Sequence, residues 1–221
     1  LLESRSTDGL KVKVTYDDKN RVAQKQYRVD GTGHQTKYLY GEVSKQQKPG
    51  LEYGVQVDGK TCIEYAYDLL GRCEKKTQIY PSGKKKEITY TYVPGAKEGT
   101  TTALVGTITE NGKETAYTYD GRGNILEICT KELDTGKVTD HMLYTYTGMN
   151  QVIREEDAVR GRTFTYAYDL GGNLLENKKY YLVNGVEELR GTDTYTYSSG
   201  WKDQLTSFNG KAITYDAMGN P

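Results

Sequence analysis

The feature that most constrains this chain is a recurring Tyr-x-Tyr. It occurs at Tyr38/Tyr40, Tyr65/Tyr67, Tyr90/Tyr92, Tyr117/Tyr119, Tyr144/Tyr146, Tyr166/Tyr168 and Tyr195/Tyr197, with shorter forms ending at Tyr16 and Tyr215. The closing tyrosines recur about every 25 residues, which gives eight to nine repeats in one array over residues 1–221. Sixteen of the 21 tyrosines belong to these anchors. A fixed period of this length marks a repeat architecture, in which each unit depends on its neighbours for burial.

Every second anchor is followed by an aspartate: Asp17, Asp68, Asp120, Asp169 and Asp216. Three residues beyond each stands a residue that tolerates positive φ: Asn20, Gly71, Gly123, Gly172 or Gly219. This is the chemistry of a type I turn. The aspartate accepts from the backbone two residues on, and glycine suits the fourth position. The intervening anchors lack the aspartate and are expected to use other turns, such as Thr147-Gly148-Met149-Asn150. A second set interleaves at Asp30-Gly31, Asp58-Gly59, Ser82-Gly83, Asn111-Gly112, Thr135-Gly136, Arg160-Gly161, Asn184-Gly185 and Asn209-Gly210. Asn-Gly and Asp-Gly are strong hairpin signals. Two kinds of turn half a period apart predict an up-and-down meander with two strands of roughly 8 residues per unit.

Alternation agrees. Thr89-Tyr90-Thr91-Tyr92 and Thr163-Phe164-Thr165-Tyr166 put aromatics on one face and threonine on the other. The expected fold class is all-β: antiparallel hairpin repeats in a meandering, curved or spiralling sheet. Tyr is expected beside Tyr along one row, stacking between hairpins. A propeller would need four strands per blade and a period near 40 residues.

Composition narrows the function. The 30 basic and 30 acidic residues cancel, so the footprint of a nucleic-acid binder is missing. No apolar run approaches the ~20 residues of a membrane-spanning helix, and no membrane insertion is expected. Cys62, Cys73 and Cys129 form an odd set without metal-ligand spacing. They are expected to be small strand residues.

The strings Tyr67-Asp68-Leu69-Leu70-Gly71-Arg72, Tyr119-Asp120-Gly121-Arg122-Gly123-Asn124, Tyr168-Asp169-Leu170-Gly171-Gly172-Asn173 and Tyr215-Asp216-Ala217-Met218-Gly219-Asn220-Pro221 resemble the YD repeat, also called the RHS repeat. The resemblance covers essentially the whole chain. It implies part of a hollow β-shell. In bacterial polymorphic toxins and insecticidal toxin complexes such a shell encloses a toxic C-terminal segment, and in teneurins the same repeats serve adhesion. Wall-associated relatives sit on the bacterial surface, so the implied location is secreted or cell-surface. The implied partners are the rest of the shell and a toxin payload. The family's carbohydrate-binding attribution adds a glycan or surface receptor as the alternative. The chain contains no Asp-Pro, the mark of the family's self-cleaving segment. It is therefore expected to be an internal piece without that element, able to associate through its raw sheet edges.

No catalytic constellation stands out, and neither a cofactor nor a metal is expected. His34 and His141 lack zinc-ligand spacing, and both are expected to be incidental. Glu155-Glu156-Asp157 and Lys84-Lys85-Lys86 are expected to be solvated surface. The repeating aspartates are explained by turn geometry, which leaves a structural scaffold as the primary reading. Its motif residues are Tyr16, Asp17, Tyr67, Asp68, Gly71, Tyr119, Asp120, Gly123, Tyr168, Asp169, Gly172, Tyr215, Asp216 and Gly219.

Overall fold

A computed structural model describes the backbone of residues 2–5 and the whole of residues 11–201 and 203–221. The chain gathers into two units, Leu1–Gly112 and Lys113–Pro221. Nearly all of the described regular structure is β; one 3-10 turn spans Val43–Lys45.

The first unit holds β1 (Leu2–Arg5), β2 (Lys11–Tyr16), β3 (Val22–Val29), β4 (Thr32–Tyr40), β5 (Glu52–Val57), β6 (Lys60–Tyr67), β7 (Cys73–Ile79), β8 (Lys85–Pro94) and β9 (Thr101–Glu110). The second holds β10 (Lys113–Tyr119), β11 (Ile125–Glu132), β12 (Val138–Tyr146), β13 (Val152–Asp157), β14 (Arg162–Tyr168), β15 (Leu174–Val183), β16 (Val186–Tyr197), β17 (Leu205–Phe208) and β18 (Lys211–Ala212). Within each unit every strand pairs antiparallel with the next in sequence. The anchor turns of a unit therefore lie at one rim of its sheet, and the Gly turns lie at the other.

The Gly turns are of two sorts. In Asp30-Gly31, Asp58-Gly59, Asn111-Gly112, Asn184-Gly185 and Asn209-Gly210 both residues have positive φ. That is the type I′ turn, whose twist matches the flanking strands. Ser82-Gly83, Thr135-Gly136 and Arg160-Gly161 depart from it, because only their glycine is left-handed. At the first of these the Tyr80 N–H donates to Lys84 O at 2.9 Å and the Gly83 N–H to Tyr80 O at 2.8 Å. Pro81 there pre-sets the φ of a type I turn.

The register shifts by one residue at the anchors themselves, for example between Thr15 and Tyr16, Ala66 and Tyr67, Thr145 and Tyr146, and Ala167 and Tyr168. Each is a β-bulge, the accompaniment of a type I turn closed by a left-handed residue.

Burial is shallow. Among the described residues Val55 is the only buried apolar side chain, and Thr77, Asp157 and Thr163 are the buried polar ones. Half-buried tyrosines and threonines do the work of a core, as expected of a sheet with few aliphatics.

Candidate functional site: anchor turns and tyrosine latches

The aspartate turns share one geometry. Asp120 Oδ1 accepts from the Arg122 N–H at 2.8 Å and the Asn124 N–H at 2.9 Å. The Asp120 N–H donates to Asn124 O at 2.9 Å, and the Gly123 N–H donates to Asp120 O at 3.1 Å. Gly123 sits at φ 87°, a region costly for any side chain branched at Cβ. The pattern recurs at Asp17, Asp68, Asp169 and Asp216. One carboxylate oxygen thus satisfies two backbone donors that the turn leaves unpaired.

The second oxygen binds a side chain that the sequence reading passed over. It accepts from Arg21 Nε at 2.7 Å, Arg72 Nε at 2.6 Å, Asn124 Nδ2 at 2.8 Å, Asn173 Nδ2 at 2.9 Å and Asn220 Nδ2 at 3.0 Å. The working motif is therefore Tyr-Asp-x-x-Gly-Arg/Asn. An Arg or Asn following the left-handed residue in all five strings was the available signal. These contacts hold all five carboxyls below the usual aspartate range. For Asp120, Asp169 and Asp216 the Asn side chain is the main cause. For Asp17 and Asp68 burial pushes upward, but the backbone and Arg hydrogen bonds outweigh it.

Thr147 corrects the expectation of a different turn. Its Oγ1 accepts from the N–H groups of Met149 and Gln151, both at 3.2 Å. Its own N–H donates to Gln151 O at 2.8 Å, with Asn150 at φ 63°. Thr and Asn stand in for Asp and Gly in the same geometry, because a hydroxyl can accept as a carboxylate does.

The closing tyrosines of seven anchors reach back to the preceding hairpin on their side of the sheet. The hydroxyls donate from Tyr40 to Val22 O at 3.1 Å, Tyr67 to Glu52 O at 2.5 Å and Tyr92 to Cys73 O at 2.8 Å. In the second unit they donate from Tyr146 to Ile125 O at 2.7 Å, Tyr168 to Val152 O at 2.9 Å, Tyr197 to Leu174 O at 3.0 Å and Tyr215 to Leu205 O at 2.8 Å. Each acceptor begins the strand that leaves the previous anchor turn, and it pairs in register with the previous anchor tyrosine, as Val152 does with Tyr146 and Leu174 with Tyr168. The latches therefore form a relay from hairpin to hairpin.

The latches, and not a row of stacked anchor rings, join successive anchors, while Tyr67 meets Tyr53 of the neighbouring strand edge-on, with ring centres 5.1 Å apart. Successive anchors are two strands apart, about 9.5 Å, beyond the 4.5–7 Å of an aromatic pair. The intervening strand fills the gap. The Arg21 guanidinium lies 3.9 Å from the Tyr40 ring centre, and Arg72 lies 3.9 Å from that of Tyr92. Burial raises the pKa of most anchor hydroxyls. Tyr67 is pushed up to about 12 by burial first, then by Cys73 and Glu52. Tyr166 is also pushed up to about 12, by burial and then Glu155.

Other candidate groups are occupied in structural contacts. His34 Nδ1 lies 2.8 Å from Asp58 Oδ2, and His141 Nε2 lies 2.7 Å from Glu127 Oε1, so each histidine is held in a structural contact with a carboxylate. The stretch Glu155-Glu156-Asp157 is not simply solvated. Asp157 is buried and accepts from the Arg160 N–H at 3.0 Å and Nη1 at 3.1 Å. Glu156 pairs with Arg154 at 3.2 Å, and Glu155 accepts from the Tyr166 hydroxyl at 3.2 Å. Asp140 pairs with Arg160 at 2.9 Å. The three cysteines lie in β6, β7 and β11 as free thiols. Among the described residues no three His, Cys, Asp or Glu are grouped to hold a metal.

Fold and latches together define a class: a one-layer antiparallel hairpin-repeat protein, coupled from neighbour to neighbour by tyrosines. No family model and no curated protein matches the sequence. Among solved structures, the chain is similar to the Photorhabdus luminescens Tc holotoxin pore with a mutated TccC3, at TM-score 0.70 and 15% identity over 90% of this chain. It is also similar to a TcdB2-TccC3 crystal structure, at TM-score 0.53 and 16% identity over 99% of this chain. The chain spans 11% and 13% of the lengths of those two chains. The likeness is one of fold, and it supports the YD/RHS-repeat relationship that the motifs carry.

Proposed function

We propose that this chain is a non-enzymatic wall segment of an RHS-type β-shell in a secreted or cell-surface bacterial protein, and that the shell encloses a C-terminal toxin. The carrying observation is the relay of tyrosine hydroxyls onto the preceding hairpin, repeated through both units. The residues that recur do so to build wall. The fold likeness to toxin-complex chains supports the same reading. Its mechanism is physical: a sheet sealed hairpin to hairpin keeps a payload apart from its surroundings.

The alternative, adhesion or glycan binding through tyrosines, would use their faces and hydroxyls. The closing hydroxyls are committed to carbonyls, which weakens that platform. Limited proteolysis of the native protein that carries this segment tests the shell. An enclosed stretch should survive protease while the wall is intact and be digested once the wall is unfolded. Equal cleavage of all stretches in the native state would refute encapsulation.

A further inference from the structure

The repeat carries its own comparison. In seven anchors the residue paired in register with the closing tyrosine is small and apolar: Val22, Cys73, Val105, Ile125, Val152, Leu174 or Leu205. Opposite Tyr40 the same position holds Glu52. Its backbone does the usual work, since Glu52 O accepts the Tyr67 hydroxyl at 2.5 Å. That task needs no carboxyl, because every residue carries a carbonyl.

The carboxyl is badly placed for a charge. Glu52 is half-buried in β5, between the tyrosine-bearing strands β4 and β6. Its charge helps to push up the hydroxyls of Tyr40, Tyr65 and Tyr67, after burial, so it faces all three. Among the described residues no Lys, Arg or His pairs with Glu52, and no hydrogen bond to its carboxylate is seen. The nearby cations are engaged or distant. Arg21 stacks on Tyr40 and is held by Asp17. Lys48, in the connection before Glu52, donates to Leu69 O. Lys76 lies opposite Tyr65 on β7, two strands from Glu52. Tyr38, Tyr53 and Cys73 complete the surroundings and bring no cation. Glu64 alternates with Tyr65 and so points to the other face. Burial therefore raises the Glu52 carboxyl above the usual glutamate range, the reverse of the five turn aspartates. An ionised carboxyl here favours water, and a neutral one favours the phenol rings.

We infer that Glu52 is a proton-operated fastening of the first unit: protonated, it settles among Tyr40, Tyr65 and Tyr67 and firms the Tyr67 latch, and ionised, it loosens that latch. The long connection between Tyr40 and Glu52 closes at the same place, where the Gly41 N–H donates to Leu51 O at 2.9 Å. The contribution of Glu52 is complete below pH 4.5, the ordinary glutamate value, and is lost as pH rises through the folded one. The first unit is thus firmer in mild acid than at neutral pH. The aspartate clamps have the opposite sign and weaken only below pH 3.8. The fastening belongs to the wall itself and holds whatever the wall encloses.

The test is amide hydrogen exchange of β5 and β6 in the chain and in Glu52→Gln, with β14 and β15 as internal control. Comparing the two proteins at each pH cancels the chemical exchange rate and the titration of His34 and His141. At pH 7.5 the variant should exchange about threefold more slowly in β5 and β6. At pH 4.5 that difference should shrink towards none, and β14 and β15 should match at both pH values. Glu52→Val, the residue type of other anchors, should behave as Glu52→Gln does. A difference of equal size at both pH values, or a variant less protected at both, would overturn the inference, because the carboxyl would then be a fixed structural contact. Failure of Glu52→Gln to fold at pH 4.5 would overturn it too, since a neutral side chain is what the site is inferred to accept.

Discussion

Removing one latch hydroxyl isolates what the relay contributes. Tyr168→Phe keeps the ring and deletes the donor that reaches Val152 O at 2.9 Å. The ring is half-buried, so the orphaned carbonyl regains little water. A net intramolecular hydrogen bond is worth about 1 kcal/mol. In a unit of roughly 100 residues this lowers Tm by about 4 °C. Tyr144 supplies the control: it is the first tyrosine of its anchor, and no hydrogen bond of its hydroxyl is seen among the described residues. Tyr144→Phe should stay within about 0.5 kcal/mol of the parent. Urea titrations followed by circular dichroism measure both. The latches of Tyr146, Tyr168 and Tyr197 lie about 9.5 Å apart, so a triple Phe variant should cost about three times the single one. Equal stability of Tyr168→Phe and Tyr144→Phe would refute the relay as a source of stability. A triple variant no worse than the single would refute its independent links.

Alkaline pH should unfold the sheet. Burial raises Tyr40, Tyr92, Tyr146, Tyr168 and Tyr197 above the ordinary tyrosine value, and pushes Tyr67 and Tyr166 up to about 12. A raised pKa in the fold gives stability that is complete below pH 10 and is lost as pH rises towards 12. Phenolate absorbance and circular dichroism should therefore change together, and ordinary phenolate titration near pH 10 with an intact sheet would contradict this. Acid acts on the other half of the motif. The turn aspartates are held low, so their contribution is complete above pH 3.8 and fades as pH falls through the folded values. A melting temperature unchanged from pH 6 to pH 2 would contradict the Asp clamp. Gly123→Val forces a β-branched residue to φ 87° and should cost about 1–3 kcal/mol by urea titration; no loss would mean the turn is not held as described.

Much of this fold was legible because its determinants are local. Tyr-Asp-x-x-Gly fixes a turn through bonds that span at most four residues, and Asn184-Gly185 or Asn209-Gly210 fixes a type I′ turn from two. Asn124 and Arg72 were visible in the same strings, but their role needed the geometry that turns them onto Asp120 and Asp68. Thr147 was misread because residue type was taken for conformation, and a hydroxyl accepts the same two bonds.

The period, the aspartate and Asn/Asp-Gly turns and the β class were thus settled by the sequence alone, since each rests on neighbours in the chain. The tertiary structure decided what the tyrosines do. Their partners lie 10 to 23 residues away and are backbone carbonyls, a group every residue carries, so no side-chain identity announces Val22, Val152 or Leu174 as acceptor. It also decided that the exposed tips Met149, Leu170, Trp201 and Met218 share one rim, because only the alternation of paired strands brings every second turn to the same side.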